Sequence, residues 1–210
     1  GMSVTGTVTL GVPAGVAKDA ALLDNEAAPA AATVQWNLPS ATKVAFVQQP
    51  TDAASGATIA PAVTVQLQDA ASNPVAIAGT TITLTLTGGT GVLSGTASRA
   101  TNASGLATFN DLSIDLAGAK QLTAASSGLT SAVSGSFTIS AGAASQLAYV
   151  QPPTPAAPGA TITPAVTVQL RDAASNPVAV AGTTVAISPT SGSGALSGTL
   201  NQPTNASGRA

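Results

Sequence analysis

The residues from Lys43 to Ala107 recur without a gap as Gln146 to Ala210. Phe46 returns as Tyr149, Pro50 as Pro153, Pro61 as Pro164, Asp69 as Asp172 and Gly105 as Gly208, with roughly two-thirds of positions identical over a period of about 103 residues. A period of that length is too long for ankyrin, leucine-rich or propeller-blade units and matches a whole small domain. The chain therefore divides into a leader at 1–40, a complete module at 41–142 and a second module at 143–210. That second module stops before the counterpart of Thr108 to Ser140, so the chain is expected to be a stretch of a longer array. Such a cut-off module is expected to expose a sheet edge and an apolar face, and either to remain labile or to recruit strands from another chain.

Period-two patterning sets the secondary structure. Val63, Val65 and Leu67 alternate with Thr64, Gln66 and Gln68, and Ile82, Leu84 and Leu86 alternate with Thr81, Thr83, Thr85 and Thr87. Alternation puts one apolar face inward and one polar face toward water, so two such sheets must meet face to face in a sandwich. Further strands are expected at Lys43 to Val47, Gly105 to Phe109, Lys120 to Ala125 and Ala132 to Ser140. Hydrophobic residues make up 44% of the chain but aromatics only 2%, so the core must be built from Ala, Val, Leu and Ile around Phe46, Phe109 and Phe137. Tyr149 takes the core position of Phe46 in the second module. In the leader, SVTGTVTL and AATVQWNL read as strands and as the tail of a preceding, more divergent module. A short helix over Ala14 to Ala32 is the alternative, since Ala, Leu, Lys and Glu favour one.

Two repeated segments read as turns. DAASNPV, at Asp69 to Val75 and Asp172 to Val178, combines an extended residue before proline with Asp, Ser and Asn side chains that cap their own backbone, as a hairpin-type turn requires. TNASG, at Thr101 to Gly105 and Thr204 to Gly208, places glycine where a positive φ is needed before the next strand.

The chemistry of an active site is missing from this alphabet. There is no histidine and no cysteine, and Asp69 and Asp172 are the only acidic residues shared by the two modules. Both read as turn initiators, so no catalytic, cofactor-binding or metal-binding residue is assigned, no cofactor is expected, and the chain is not read as an enzyme. Asn102-Ala-Ser104 and Asn205-Ala-Ser207 fit the N-glycosylation pattern but read first as turns. An internal Lys–Asn isopeptide bond is disfavoured, because the complete module offers only Lys43 and Lys120 and the second has no lysine. A net charge of −2 with six Lys and Arg lacks the basic footprint that nucleic acid or an anionic membrane surface demands, so neither partner is expected. No apolar run reaches the length of a membrane span.

On the segments LAYVQPP, PAVTVQLRDAASNPV, TNASGLATF and SGSFTIS the chain resembles the bacterial immunoglobulin-like repeats of invasin- and intimin-type adhesins and large repetitive surface proteins. The resemblance covers about Lys43 to Ser140 in full and Gln146 to Ala210 in part. It implies an all-β fold of tandem immunoglobulin-like Greek-key β-sandwich modules on a secreted or cell-surface bacterial protein, with signal and anchor outside this stretch. It carries over no site residue, because the shared segments are turns and core positions.

Three functions follow as expectations. The first is a structural spacer whose partners are the neighbouring modules of its own chain. The second is a recognition module for a protein or glycan ligand, using loops that differ between repeats: Asp52 to Ser55 against Pro155 to Pro158, and Ala97 to Ala100 against Leu200 to Pro203. The third is an accessory domain of a secreted hydrolase or a phage fibre.

Overall fold

A computed structural model of the chain describes residues 6–10, 32–36 and 40–210, and every described element is a strand. In chain order they are β1 (Gly6–Leu10), β2 (Ala32–Trp36), β3 (Lys43–Gln48), β4 (Ala53–Ala54), β5 (Val63–Gln68), β6 (Thr81–Gly88), β7 (Leu93–Ser94), β8 (Ser98–Ala100) and β9 (Leu106–Phe109). They continue with β10 (Ser113–Ile114), β11 (Gly118–Ala125), β12 (Ala132–Val133), β13 (Phe137–Ser140), β14 (Gln146–Gln151), β15 (Thr167–Arg171), β16 (Thr184–Ala186) and β17 (Asn201–Pro203). The fold is all-β. Two compact units divide the chain, Gly1–Ala41 and Thr42–Ala210, and both repeats lie in the second. In the first unit β1 and β2 pair antiparallel, Gly6 against Trp36 through Leu10 against Ala32. Apart from Ala32, which is in β2, the helix alternative over Ala14 to Ala32 falls outside the described residues.

In the first repeat the strands form separate sheets. One has the order β4-β13-β11-β6-β8, with β12 also on β11 and β4 parallel to β13. Another is the antiparallel set β3-β5-β9, and β7 pairs with β10. The alternation read from the sequence selects the buried face of each strand: Val63, Val65 and Leu67 on β5, Ile82 and Leu84 on β6, Leu122 and Ala124 on β11, Phe137 and Ile139 on β13, Phe109 on β9. Each of these Val, Leu, Ile and Phe side chains contributes about 1.5–3 kcal/mol by leaving water. Two sheets, each with one apolar face, are consistent with a sandwich.

Four readings from the sequence change. The segment expected as one strand from Ala132 to Ser140 is two, because Ser134 is buried between them and its hydroxyl accepts the N–H of Leu122 at 2.9 Å. Phe46 is only half-buried. Tyr149, placed in the core by its alignment with Phe46, is 57% exposed, and Leu147 stands in the open where Val44 is buried. In the first repeat the Val44 N–H is held by the carbonyl of Thr130, next to β12; the second repeat has no counterpart of that segment within these residues. Finally, Gln66 was expected on a wet face, yet it and its counterpart Gln169 are buried.

The second repeat keeps the β14-β15 pairing of β3-β5, with the same register shift, but its β16 is three residues long where β6 has eight. Pro189 stands in the place of Leu86 and has no N–H to give a ladder.

Candidate functional site

The residues that the two repeats share converge on one construction, built from β5, the DAASNPV turn and the TNASG turn. In the first turn the Asp69 carboxylate accepts the backbone N–H of Asn73 at 2.8 Å and its side-chain amide at 3.0 Å. Ser72 sits at φ 69°, a left-handed conformation tolerated here by the turn's own hydrogen bonds, from Asp69 N–H to the Asn73 carbonyl and from Ser72 N–H to the Asp69 carbonyl. Asp172 and Asn176 repeat the backbone contact at 2.8 Å and the side-chain contact at 2.8 Å, with Ser175 at φ 68°. The hydrogen bond from the Asn73 amide, ahead of its backbone N–H, holds the Asp69 carboxyl below its ordinary value. At Asp172 burial pushes the carboxyl up, but the donors Asn176, Gly142 and Ala174 outweigh it and the net direction is again down.

In the TNASG turn the side chain of Asn102 accepts the N–H groups of Ser104 at 2.9 Å and Leu106 at 3.1 Å; Asn205 does the same for Ser207 and Arg209. Thr101 donates to the carbonyl of Ile77 and accepts the N–H of Thr80, and Thr204 copies both bonds with Val180 and Thr183. Gln66 joins the two turns. Its amide nitrogen reaches the carbonyls of Ser104 at 2.9 Å, Leu67 at 3.2 Å and, at 3.5 Å, Val75 of the other turn, and Gln169 likewise reaches Ser207, Leu170 and Val178. A buried amide that would otherwise be costly is thereby satisfied. Sequence reasoning missed this role because Gln at an alternating position reads as solvent-facing.

The loops nominated for recognition are largely occupied. Asp52 accepts the N–H of Thr138 at 2.6 Å, and β4 lies along β13, whereas Pro155 to Pro158 are exposed. Ser98 to Ala100 form β8 beside β6, and Asn201 to Pro203 form β17 beside β16. Arg99 donates to Asn110 and pairs with Asp111 at 3.1 Å. Asp111 also accepts the Thr96 hydroxyl at 2.6 Å and the Thr96 N–H at 3.1 Å. These bonds, the Thr96 hydroxyl first, lower the Asp111 carboxyl to about 2.

A carboxyl lowered on folding stabilises the fold above its unfolded value of about 3.9 and ceases to do so as pH falls through its folded value. Asp111→Asn should therefore be less stable than the parent above about pH 4, with the gap closing between about pH 4 and pH 2. Urea unfolding of both proteins across that window checks it; a gap that persists at pH 2 would point away from the carboxylate.

Among the described residues no three His, Cys, Asp or Glu side chains gather as metal ligands would. Lys120 is buried with one hydrogen bond, 3.3 Å to the carbonyl of Ala117. No helix among the described residues is long and apolar enough to cross a membrane.

No family model matches the chain, and no curated protein does. Among solved structures it is similar to a β-glycosidase from Bacteroides vulgatus, at 13% identity and TM-score 0.32, over 52% of this chain and 15% of that one. It is also similar to InvD of Yersinia pseudotuberculosis, at 14% identity and TM-score 0.41, over 88% of this chain and 67% of that one. Both scores are low, and neither protein's role passes to this chain.

Proposed function

We propose that the chain is a run of tandem immunoglobulin-like Greek-key β-sandwich modules that serves as a non-catalytic spacer in a bacterial surface or secreted adhesin-like protein. The observation that carries this reading is where the shared residues are spent. Asp69, Gln66, Thr101 and Asn102, and their counterparts Asp172, Gln169, Thr204 and Asn205, all direct side-chain polar atoms at the backbone of these turns and their flanks, and the amides of Asn73 and Asn176 brace the two carboxylates. What the repeats have in common is thus a framework, as a module copied for length requires. Residues copied to bind would instead present side chains outward.

Beads carrying the full chain, offered to a glycan array and to cultured animal cells, test the reading. Retention no greater than that of beads bearing an unrelated β-protein is expected. Saturable retention that disappears when the Val92–Arg99 segment is replaced would instead make the chain a recognition module.

A further inference from the structure

The two copies of the DAASNPV turn are alike in sequence and in internal hydrogen bonding, but they differ in surroundings. Asn73 is exposed, and its side-chain amide has Asp69 as its partner. Asn176 is 5% exposed and Asp172 2%. What buries them is the preceding repeat. One hydrogen of the Asn176 amide goes to Asp172 at 2.8 Å and the other is shared between the carbonyl of Asp115 at 2.9 Å and the Ser55 hydroxyl at 3.0 Å, while its carbonyl oxygen accepts the N–H of Ala117 at 2.9 Å. The Ser55 hydroxyl itself donates to the Asp115 carbonyl, and Asp172 accepts the N–H of Gly142 at 2.8 Å.

A side-chain carboxamide has the donor and acceptor of a peptide group. Asn176 uses both on the C=O of Asp115 and the N–H of Ala117, so it acts as one added rung on the chain just before β11. Two bonds to backbone groups two residues apart fix direction as well as distance, which a single surface contact between modules does not. The Asp172 carboxylate then orients the carboxamide from behind, and the link to Gly142 ties the turn to the connection between repeats.

We propose that Asn176 is a repeat-to-repeat connector: its carboxamide docks on Asp115, Ala117 and Ser55 of the preceding repeat and holds consecutive repeats at one fixed orientation. The partner surface is a second copy of the repeat, recognised mostly through its backbone. Repeats joined in this way propagate a stiff rod rather than beads on a flexible string. This holds whether the array is a spacer or binds a ligand, so the bead experiment and the following one fail independently.

The matched turn in the first repeat supplies the control. In the full, isotope-labelled chain, Asn176→Ala should raise hydrogen exchange at the Ala117 amide roughly five- to tenfold, the effect of losing about one net hydrogen bond. Asn73→Ala removes the same bonds within its turn and should leave Ala117 unchanged. Residual dipolar couplings of the parent should fit one alignment for both repeats, and those of Asn176→Ala should need two. Ser55→Ala alters the preceding repeat alone and should raise Ala117 exchange by a smaller factor, which serves if Asn176→Ala disturbs its own repeat. Unchanged exchange at Ala117 in both Asn176→Ala and Ser55→Ala, an equal rise in Asn73→Ala, or two alignments in the parent would each overturn the proposal.

Discussion

Gly105→Ala is expected to destabilise the first repeat by about 2–6 kcal/mol, well beyond what a turn glycine usually contributes. Two separate effects add. Gly105 has φ 74°, and holding a non-glycine residue in a strained backbone region costs on the order of 1–3 kcal/mol. In addition, a Cβ there would lie 1.9 Å from the carbonyl oxygen of Val75, a backbone atom that cannot swing aside. Relieving that overlap must push apart the TNASG and DAASNPV turns that Gln66 holds together, and overpacking of this kind costs roughly 1–3 kcal/mol more. It also disturbs the hydrogen bond from the Leu67 N–H to the Gly105 carbonyl. Gly56 separates the two effects: it has φ 73° with nothing within 4 Å of its would-be Cβ, so Gly56→Ala should show the conformational part alone. Urea unfolding of both variants, with amide exchange at Leu67 assigning the loss to the first repeat, checks the difference. Equal losses would mean that the approach to Val75 is unimportant. Gly208, whose Cβ would meet the carbonyl oxygen of Val178 at 1.8 Å, should respond as Gly105 does.

What could be read from the sequence was what local spacing decides. The alternation through β5 and β6 picks out their buried faces, because a strand's period of two needs no knowledge of its neighbours. The two turns were legible for the same reason, since Asp69 with Asn73 and Asn102 with Ser104 bond within a few residues. Position in space was not legible. Gln66 is buried by a turn 38 residues further along the chain, which no window around β5 contains. Asn73 and Asn176 occupy identical heptapeptides, yet only the second meets another repeat, through partners about 60 or 120 residues away. The Asp111–Thr96–Arg99 group was missed because its members lie in segments that carry no pattern of their own. In each case the deciding contact is long-range and polar, where hydrophobic periodicity is silent.

Phe109→Ala is expected to destabilise the first repeat by about 3–5 kcal/mol, Phe46→Ala by less, and Tyr149→Ala by no more than about 0.5 kcal/mol. The sequence alignment treats Phe46 and Tyr149 as one position, whereas the cost of truncation depends on the cavity left behind. Phe109 has 0% exposure on β9, where it faces Val63 of β5, and it is the largest side chain among those fully buried. The rest of the core is chiefly Val, Leu, Ile and Ala on strands fixed in ladders, which have little freedom to close the gap. Phe46 is half-buried on β3, so water already reaches part of its ring and truncation removes less burial. Tyr149 is 57% exposed, and its ring covers no closed core. A domain of this size is stable by about 5–15 kcal/mol in all, so the loss at Phe109 takes a large share and should show as a lower urea midpoint at unchanged slope. If Tyr149→Ala instead matched Phe109→Ala, the second repeat would have to bury that ring in solution, with strands supplied by another copy of the chain; a sedimentation measurement on the parent would then find a dimer.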